Sequence, residues 1–220
     1  MPLPSRHPLD WTLLGRAAAF YESHGFTYIE VPWLVRSEIT EITKPAGAEN
    51  FSAPHGDLIG SAEQSFIQMM VDGKLPPGRW YTITPCFRDE PVVDDLHQTH
   101  FMKLELIDTL NIHRYWTYKG STRVRGPNDR SKPLCQTAEH AMGILISLVQ
   151  QFIRQEVGDL PLTVETQRDP KHRLNEQEDI MYGDVELGSY GIRHHKPHTW
   201  VYGTGCAEPR WSWTFRELSS

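Results

Sequence analysis

Apolar residues recur at three- and four-residue intervals in two long stretches of the chain and at alternate positions in several shorter ones. In the first long stretch, Leu13, Leu14, Ala17, Phe20 and Tyr21 fall on one face of a helix. Asp10 is placed to cap its start, and Gly25 to stop it after about His24. The second, "TAEHAMGILISLVQQFIRQEVG", puts Ala141, Ile144, Leu145, Leu148, Phe152 and Ile153 on a buried stripe, with Thr137 as the cap. "SAEQSFIQMMVDG" suits a short third helix. "FTYIEVPWLV" reads as a strand with Pro32 near its end. "RWYTITPCFRDE" and "THFMKLELIDTL" have strand composition and flank a polar stretch, which predicts a long antiparallel hairpin. "PLTVET", "DIMYGDVELGS" and "TWVYGTGCA" read as further strands, and residues 42–57, "ITKPAGAENFSAPHGD", as a loop. The order helix, strands, helix, strands predicts an α+β fold: an antiparallel β-sheet flanked by helices, not a doubly wound parallel sheet.

Composition narrows the class. A chain of 220 residues suits one domain, residues 1–220, with a sizeable core. A formal charge of -6 removes any general attraction to nucleic acid or an anionic membrane surface. Cys86, Cys135 and Cys206 lie too far apart for paired zinc ligands and fit a reducing compartment. No apolar run reaches membrane-spanning length, and "MPLPSRHPLD" has no signal-peptide core. These features together predict a cytoplasmic protein with no membrane partner.

Candidate chemistry concentrates in "CFRDEPVVDDLHQTHFMKLEL". Arg88 and Glu90 are two apart on one arm of the expected hairpin, and Phe101, Lys103 and Glu105 lie on the other, so alternation can bring them to one face. Such a face meets the needs of a nucleotide: arginine grips phosphate bidentately, a carboxylate accepts from an exocyclic amine, and an aromatic ring stacks on the base. The same residues also fit a solvated hairpin with cross-strand charge pairs, and this stretch alone leaves both readings open. Residues 113–132, "HRYWTYKGSTRVRGPNDRSK", interleave basic and aromatic residues as an RNA-binding surface does, though the acidic chain favours a solvated insertion. His194, His195 and His198 invite a metal reading, but with no cysteine or aspartate partner nearby a polar loop is the better account.

The run "FRDE", His97, Phe101 and Glu105 resembles motif 2 of the class II aminoacyl-tRNA synthetases. "AAAFYESHGFTYIEVPWLV", with Pro32, is similar to their motif 1, and "YGTGCAEPRWSW", with Arg210, to their motif 3. The three occur in the family's order, which makes the resemblance far more specific than any one alone. "GAENF...LIGSAEQSFIQ" and "EDIMYGDVELGSYGIRHH" further resemble segments of the aspartyl- and asparaginyl-type enzymes, the latter through Asp179, Glu186, Gly188 and Arg193. Two departures stand out. Pro209 directly precedes Arg210, with Glu208 one position earlier, and the 220 residues resemble a catalytic core with no anticodon-binding domain.

The resemblance implies ATP-dependent activation of an amino acid, aspartate-like by Arg193, as its aminoacyl-adenylate. It implies ATP contacts from Arg88, Glu90, His97, Phe101, Glu186 and Arg210, with Arg88 and Arg210 as the catalytic cations. It implies Mg²⁺ ligation by Glu186 and Asp179, and amino-acid contacts from Ser61, Glu63, Gln64, Glu105 and Arg193. A helix-capping role for Ser61 and Gln64, and an ion pair of Arg193 with Glu63 or another acid, remain open. A homodimer through the motif 1-like stretch is expected. The acceptor is left open, with tRNA a candidate through residues 113–132. An asparagine-synthetase-like ammonia ligase and a catalytically inactive paralogue with a binding role are the alternatives.

Overall fold

The computed structural model describes residues 8–44, 49–89, 93–94, 96–109, 138–168 and 176–217. Helix α1, Trp11–Ser23, begins where Asp10 accepts a hydrogen bond from the Leu13 amide at 2.9 Å, and its five predicted core residues are buried. Gly25, at φ +85°, turns the chain out of it.

The continuous strand expected next is not formed. β1, Thr27–Tyr28, pairs in parallel with β5, Arg79–Phe87, and β2, Leu34–Val35, belongs to a different sheet. Pro32 sits between the two and has no amide hydrogen to continue a ladder, so the stretch is divided at that point. β2 pairs with β4, Gly56–Leu58, which also pairs with β3, Ser52–Ala53. With α2, Ser37–Thr43, these strands fill much of the region read as loop. Buried Asp57 organises them: it accepts from Ser52 Oγ at 2.7 Å, Thr40 Oγ1 at 2.8 Å and Asn50 Nδ2 at 3.1 Å.

Helix α3, Ala62–Val71, leads to the predicted hairpin of β5 with β6, His100–Asp108, in antiparallel register from Arg79↔Asp108 to Phe87↔His100. Helix α4, Ala138–Val157, buries Ala141, Leu145, Phe152 and Ile153 as expected. Met142, Ile146 and Val149 are buried beside them, while Ile144 and Leu148 are half-buried, so the stripe is rotated from the predicted one. The predicted cap Thr137 lies outside the described residues. β7, Leu162–Arg168, and β8, Glu176–Tyr182, follow. Gly183, at φ +55°, turns β8 into β9, Val185–His195, so "DIMYGDVELGS" is two strands. β10, His198–Glu208, and α5, Arg210–Glu217, complete the described chain.

The main sheet has the order β1-β5-β6-β10-β9-β8-β7 and is antiparallel everywhere except β1–β5, an α+β arrangement as predicted. On one face α1, α4 and α5 pack Leu14, Phe152 and Trp211 against Leu104, Leu106 and Val201. Each such fully buried apolar side chain contributes about 1.5–3 kcal/mol. On the other face α2 and α3 pack Ile39, Phe66 and Ile67 against Ile107 and Trp200. β10 lies at the centre, and a Cβ on Gly203 would come within 2.2 Å of Leu145 Cδ2, which explains a glycine there.

Candidate active site

Strand registry assembles the site. On the face that carries α2 and α3, β6 presents Phe101, Lys103 and Glu105 in line with Ile107, and β10 presents Thr204 and Tyr202 in line with Trp200. β9 adds Arg193 beside Trp200, and β8 adds Gln177 and Asp179 opposite Gly191 and Ser189. The α2–α3 core covers only one end of this face. The other end is an open cleft of about 500 Å³ bordered by Arg88, His97, Phe101, Lys103, Glu186 and Arg210.

At the open end, the exposed Arg88 follows β5 and donates from Nε to the Gly60 carbonyl at 3.0 Å. Its guanidinium lies 5.1 Å from the Phe101 ring centroid, a cation–π contact across the hairpin. His97 is oriented by Asp94, whose carboxylate meets Nδ1 at 2.9 Å and accepts the amides of His97 at 2.7 Å and Leu96 at 2.8 Å. Those two amide bonds hold the Asp94 carboxyl below its usual range. Arg210 opens α5 and donates to the Glu186 carbonyl at 3.1 Å and the Leu96 carbonyl at 3.2 Å, with Glu186 Oε1 at 3.7 Å. Glu208, which stands before Pro209, is fully buried and accepts the Ser212 amide at 3.0 Å and the Asp10 amide at 2.9 Å. It caps α5 and joins it to the start of α1, and burial pushes its carboxyl up. Glu90 lies outside the described residues.

At the inner end Glu105 and Glu63 are each answered by a cation. Glu105 is buried and accepts from Ser61 Oγ at 2.7 Å, from the Ala62 amide and from Lys103 Nζ at 2.9 Å. Burial opposes its ionisation, but Lys103 and these donors outweigh it and hold the carboxyl below its usual value. Glu63, also buried, accepts from Trp200 Nε1 at 2.7 Å and pairs with Arg193 Nε at 3.4 Å. Here burial wins over both partners and raises the carboxyl. Arg193 lies over the Tyr202 ring at 4.8 Å and donates from Nη2 to its hydroxyl at 3.3 Å. Burial and Glu63 push the Tyr202 phenol up to about 12. The chain of bonds continues from Tyr202 to Gln177 Oε1 at 3.4 Å and from Gln177 Nε2 to Asp179 at 3.3 Å.

Other residues singled out from sequence have local partners. Ser61 caps α3 and accepts the Glu63 amide at 3.2 Å. Gln64 accepts the Gly60 amide at 2.9 Å and donates to the Thr40 carbonyl at 3.4 Å. Both therefore set backbone, and Ser61 also holds Glu105. Glu186 borders the cleft, whereas Asp179 is hydrogen-bonded by Ser189 Oγ at 2.5 Å within the β8–β9 ladder. Among the described residues no group of three or more histidine, cysteine or acidic side chains could by itself hold a metal ion. His195 and His198 face each other where β9 turns into β10, and His194 bonds Thr199 Oγ1 at 2.7 Å. Residues 113–132 lie outside the described chain. The site list drawn from sequence omitted Trp200, Tyr202 and Gln177. The alternation Trp200, Tyr202, Thr204 in "TWVYGTG" was the available signal for the first two.

A family model described as tRNA synthetases class II (D, K and N) matches residues 11–112. The Aspartate--tRNA(Asp/Asn) ligase of Thermobifida fusca (strain YX) is 32% identical over 103 residues, which are 41% of this chain and 16% of that protein. Its counterpart from Prosthecochloris aestuarii is 30% identical over 100 residues, 43% of this chain and 15% of that protein. The match therefore spans only a small part of these relatives' length. A pyrrolysyl tRNA synthetase of Desulfitobacterium hafniense superposes with TM-score 0.64 at 15% identity, covering 94% of this chain and 68% of that one. A cytoplasmic serine-tRNA ligase of Naegleria fowleri, solved in complex with AMP, superposes with TM-score 0.61 at 15% identity, covering 91% and 51%. At that identity the structural likeness speaks for fold, and the sequence matches speak for descent. Residues 11–112 are thus similar in sequence to the class II tRNA synthetases of the D, K and N type, and the described chain carries the class II synthetase fold.

Proposed function

We propose that the protein activates an amino acid with ATP, forming an aminoacyl-adenylate and pyrophosphate. The observation that carries this is the pair Arg88 and Arg210 bordering one cleft together with the Phe101 ring. The reaction joins two anions: a carboxylate oxygen attacks the α-phosphorus, and the bond to the departing pyrophosphate breaks. Fixed cations are what that transition state requires, and no general base is needed because the attacking carboxylate is already ionised. In this reading Arg88 meets the α-phosphate and the carboxylate, Arg210 and His97 meet the outer phosphates, and Phe101 stacks on the base.

Glu186 fits Mg²⁺, a cation that takes one or two carboxylates and completes its shell with phosphate oxygens and water. Bound there, the ion would neutralise phosphate charge. Asp179, held by Ser189 and Gln177, fits an orienting role behind the cleft better. The amino acid is of the aspartate type in the sense of a short polar side chain, acid or amide, met by Arg193.

A cytoplasmic homodimer is part of the proposal. Among the described residues no helix is long and apolar enough to cross a membrane. Tyr28, Trp33 and Leu34, in the motif 1-like stretch, are exposed by 45%, 49% and 36%, as a surface awaiting a second copy would be. Amino-acid-dependent ATP–pyrophosphate exchange tests the activity. Exchange with at least one amino acid is expected, and none with any of the twenty would remove the reading. Product analysis with tRNA and with ammonia then identifies the acceptor.

A further inference from the structure

The inner end of the site holds more charge than recognition of an acidic side chain requires. Among the described residues, Arg193 is the cation that the proposed reading sets against the substrate's side chain, and Glu63 already stands against it at 3.4 Å. We propose that Glu63 determines specificity: its carboxylate takes the place at Arg193 that an acidic substrate side chain would occupy. The pocket therefore rejects aspartate and glutamate and takes an amino acid whose side chain is neutral and carries both a hydrogen-bond donor and an acceptor, the chemistry of a carboxamide. This rests on the reading of Arg193 as the residue that meets the side chain of an amino acid.

Three features support the assignment. Glu63 cannot readily yield its place. Its side chain is 5% exposed, it sits in the first turn of α3, and it accepts a 2.7 Å bond from Trp200, itself fully buried. Displacing it from Arg193 would strand a buried carboxylate. The arginine, in contrast, is 19% exposed, so a ligand entering from the cleft meets the guanidinium with the acid fixed behind it.

Among the described residues, the neighbouring cation is already engaged. Lys103 is answered by Glu105 at 2.9 Å, and Asp179 reaches Arg193 through Gln177 and the Tyr202 hydroxyl. An acidic side chain at Arg193 would therefore stand against the fixed Glu63 carboxylate. Like charges brought together in a desolvated site discriminate strongly.

The pair also presents complementary groups. The guanidinium donates to a carbonyl oxygen and the Glu63 carboxylate accepts from an N–H, so an amide satisfies both while an acid satisfies one and repels the other. A basic side chain fails for a different reason, since it meets Arg193 first.

The test compares aspartate, glutamate, asparagine and glutamine in pyrophosphate exchange and in calorimetric binding, using the wild type and Glu63→Gln. The wild type is expected to prefer an amide over the matching acid by about tenfold or more, and Glu63→Gln to move that ratio toward the acid by about 10- to 100-fold. A wild type that takes an acid as well as its amide overturns the proposal and leaves the adenylate reading standing. So does a ratio unchanged in a Glu63→Gln protein with wild-type melting behaviour. If that variant fails to fold, the wild-type panel still decides. Absence of exchange with tighter binding of an amide removes the adenylate reading and keeps this one, and absence of any amino-acid binding removes both.

Discussion

The two ends of the cleft face differ in how their charges are satisfied. At the open end, Arg88 and Arg210 are held by backbone carbonyls, those of Gly60, Leu96 and Glu186, and Glu186 itself is exposed. Arg210 also meets the exposed Glu186 carboxylate at 3.7 Å, a loose and solvent-screened pairing, so both arginines can still turn toward an anionic ligand. At the inner end, Glu105 has Lys103 and Glu63 has Arg193, with the acids buried on the same sheet face. There the charges have been taken out of water and already matched, so removing one partner strands the other. In the proposed reading the open end binds charge, and the inner end selects shape and hydrogen-bonding pattern.

The largest effect expected from this contrast is on stability, at the inner end. Glu105→Ala removes the acceptor of Ser61, of the Ala62 amide and of Lys103, and should cost about 3–5 kcal/mol in urea unfolding. A cost below about 1 kcal/mol would show that Lys103 finds water or another acid, and the inner end would no longer count as closed.

Next comes activity at the open end. Arg88→Ala should lower pyrophosphate exchange by about 10²–10³-fold, the usual loss for one charge-stabilising donor. Its melting curve should stay near wild type because the side chain is exposed. Exchange close to wild type would mean that the cleft is not where ATP reacts.

The acid dependence of stability is expected to separate the two buried acids. Glu105 is held below its ordinary 4.5, so its stabilising contribution is complete above that pH and is lost as pH falls through the lowered value. Glu63 is raised above 4.5, so its ionisation weakens the fold at higher pH, and that penalty disappears as pH falls through the raised value. Urea midpoints followed from neutral to about pH 3 should therefore lose their steep acid limb in Glu105→Gln. An unchanged limb would place the acid sensitivity elsewhere.

The smallest effect tests the open end from the side of stability. Glu186→Gln should change unfolding free energy by less than about 0.5 kcal/mol, as for an exposed surface group. A larger change would mean that its contact with Arg210 supports the fold.

Much of this was legible in the residues. Helix α1 could be placed from Asp10 to Gly25 because a cap, a stripe and a stop agree. The β5–β6 hairpin followed from composition, and its alternation already put Phe101, Lys103 and Glu105 on one face. The motif-like runs located Arg88 and Arg210, which the fold brings to one cleft. Less legible was the stretch around Pro32. Its apolar content is that of one strand, but which sheet each half joins depends on β5 and β4, far away in sequence. The stripe of α4 was blurred in the same way. Its apolar residues cover more than one face, and only packing against the sheet selects Met142, Ile146 and Val149 over Ile144 and Leu148.

The sequence by itself determined the kind of chain this is: alternation for an antiparallel sheet, helical stripes to cover it, and charged residues at spacings suited to a nucleotide. Those properties are local, because periodicity, capping and turn chemistry act over a few residues. Tertiary structure decided which charges meet. Glu63 and Arg193 are far apart in the chain, as are Arg210 and Leu96, and nothing local links either pair. The same is true of Glu208, which stands one residue from its expected place and proves to be the buried cap joining α5 to α1. Partnership across a sheet is set by strand order and register, and these minimise the free energy of the whole chain, not of any one segment of it.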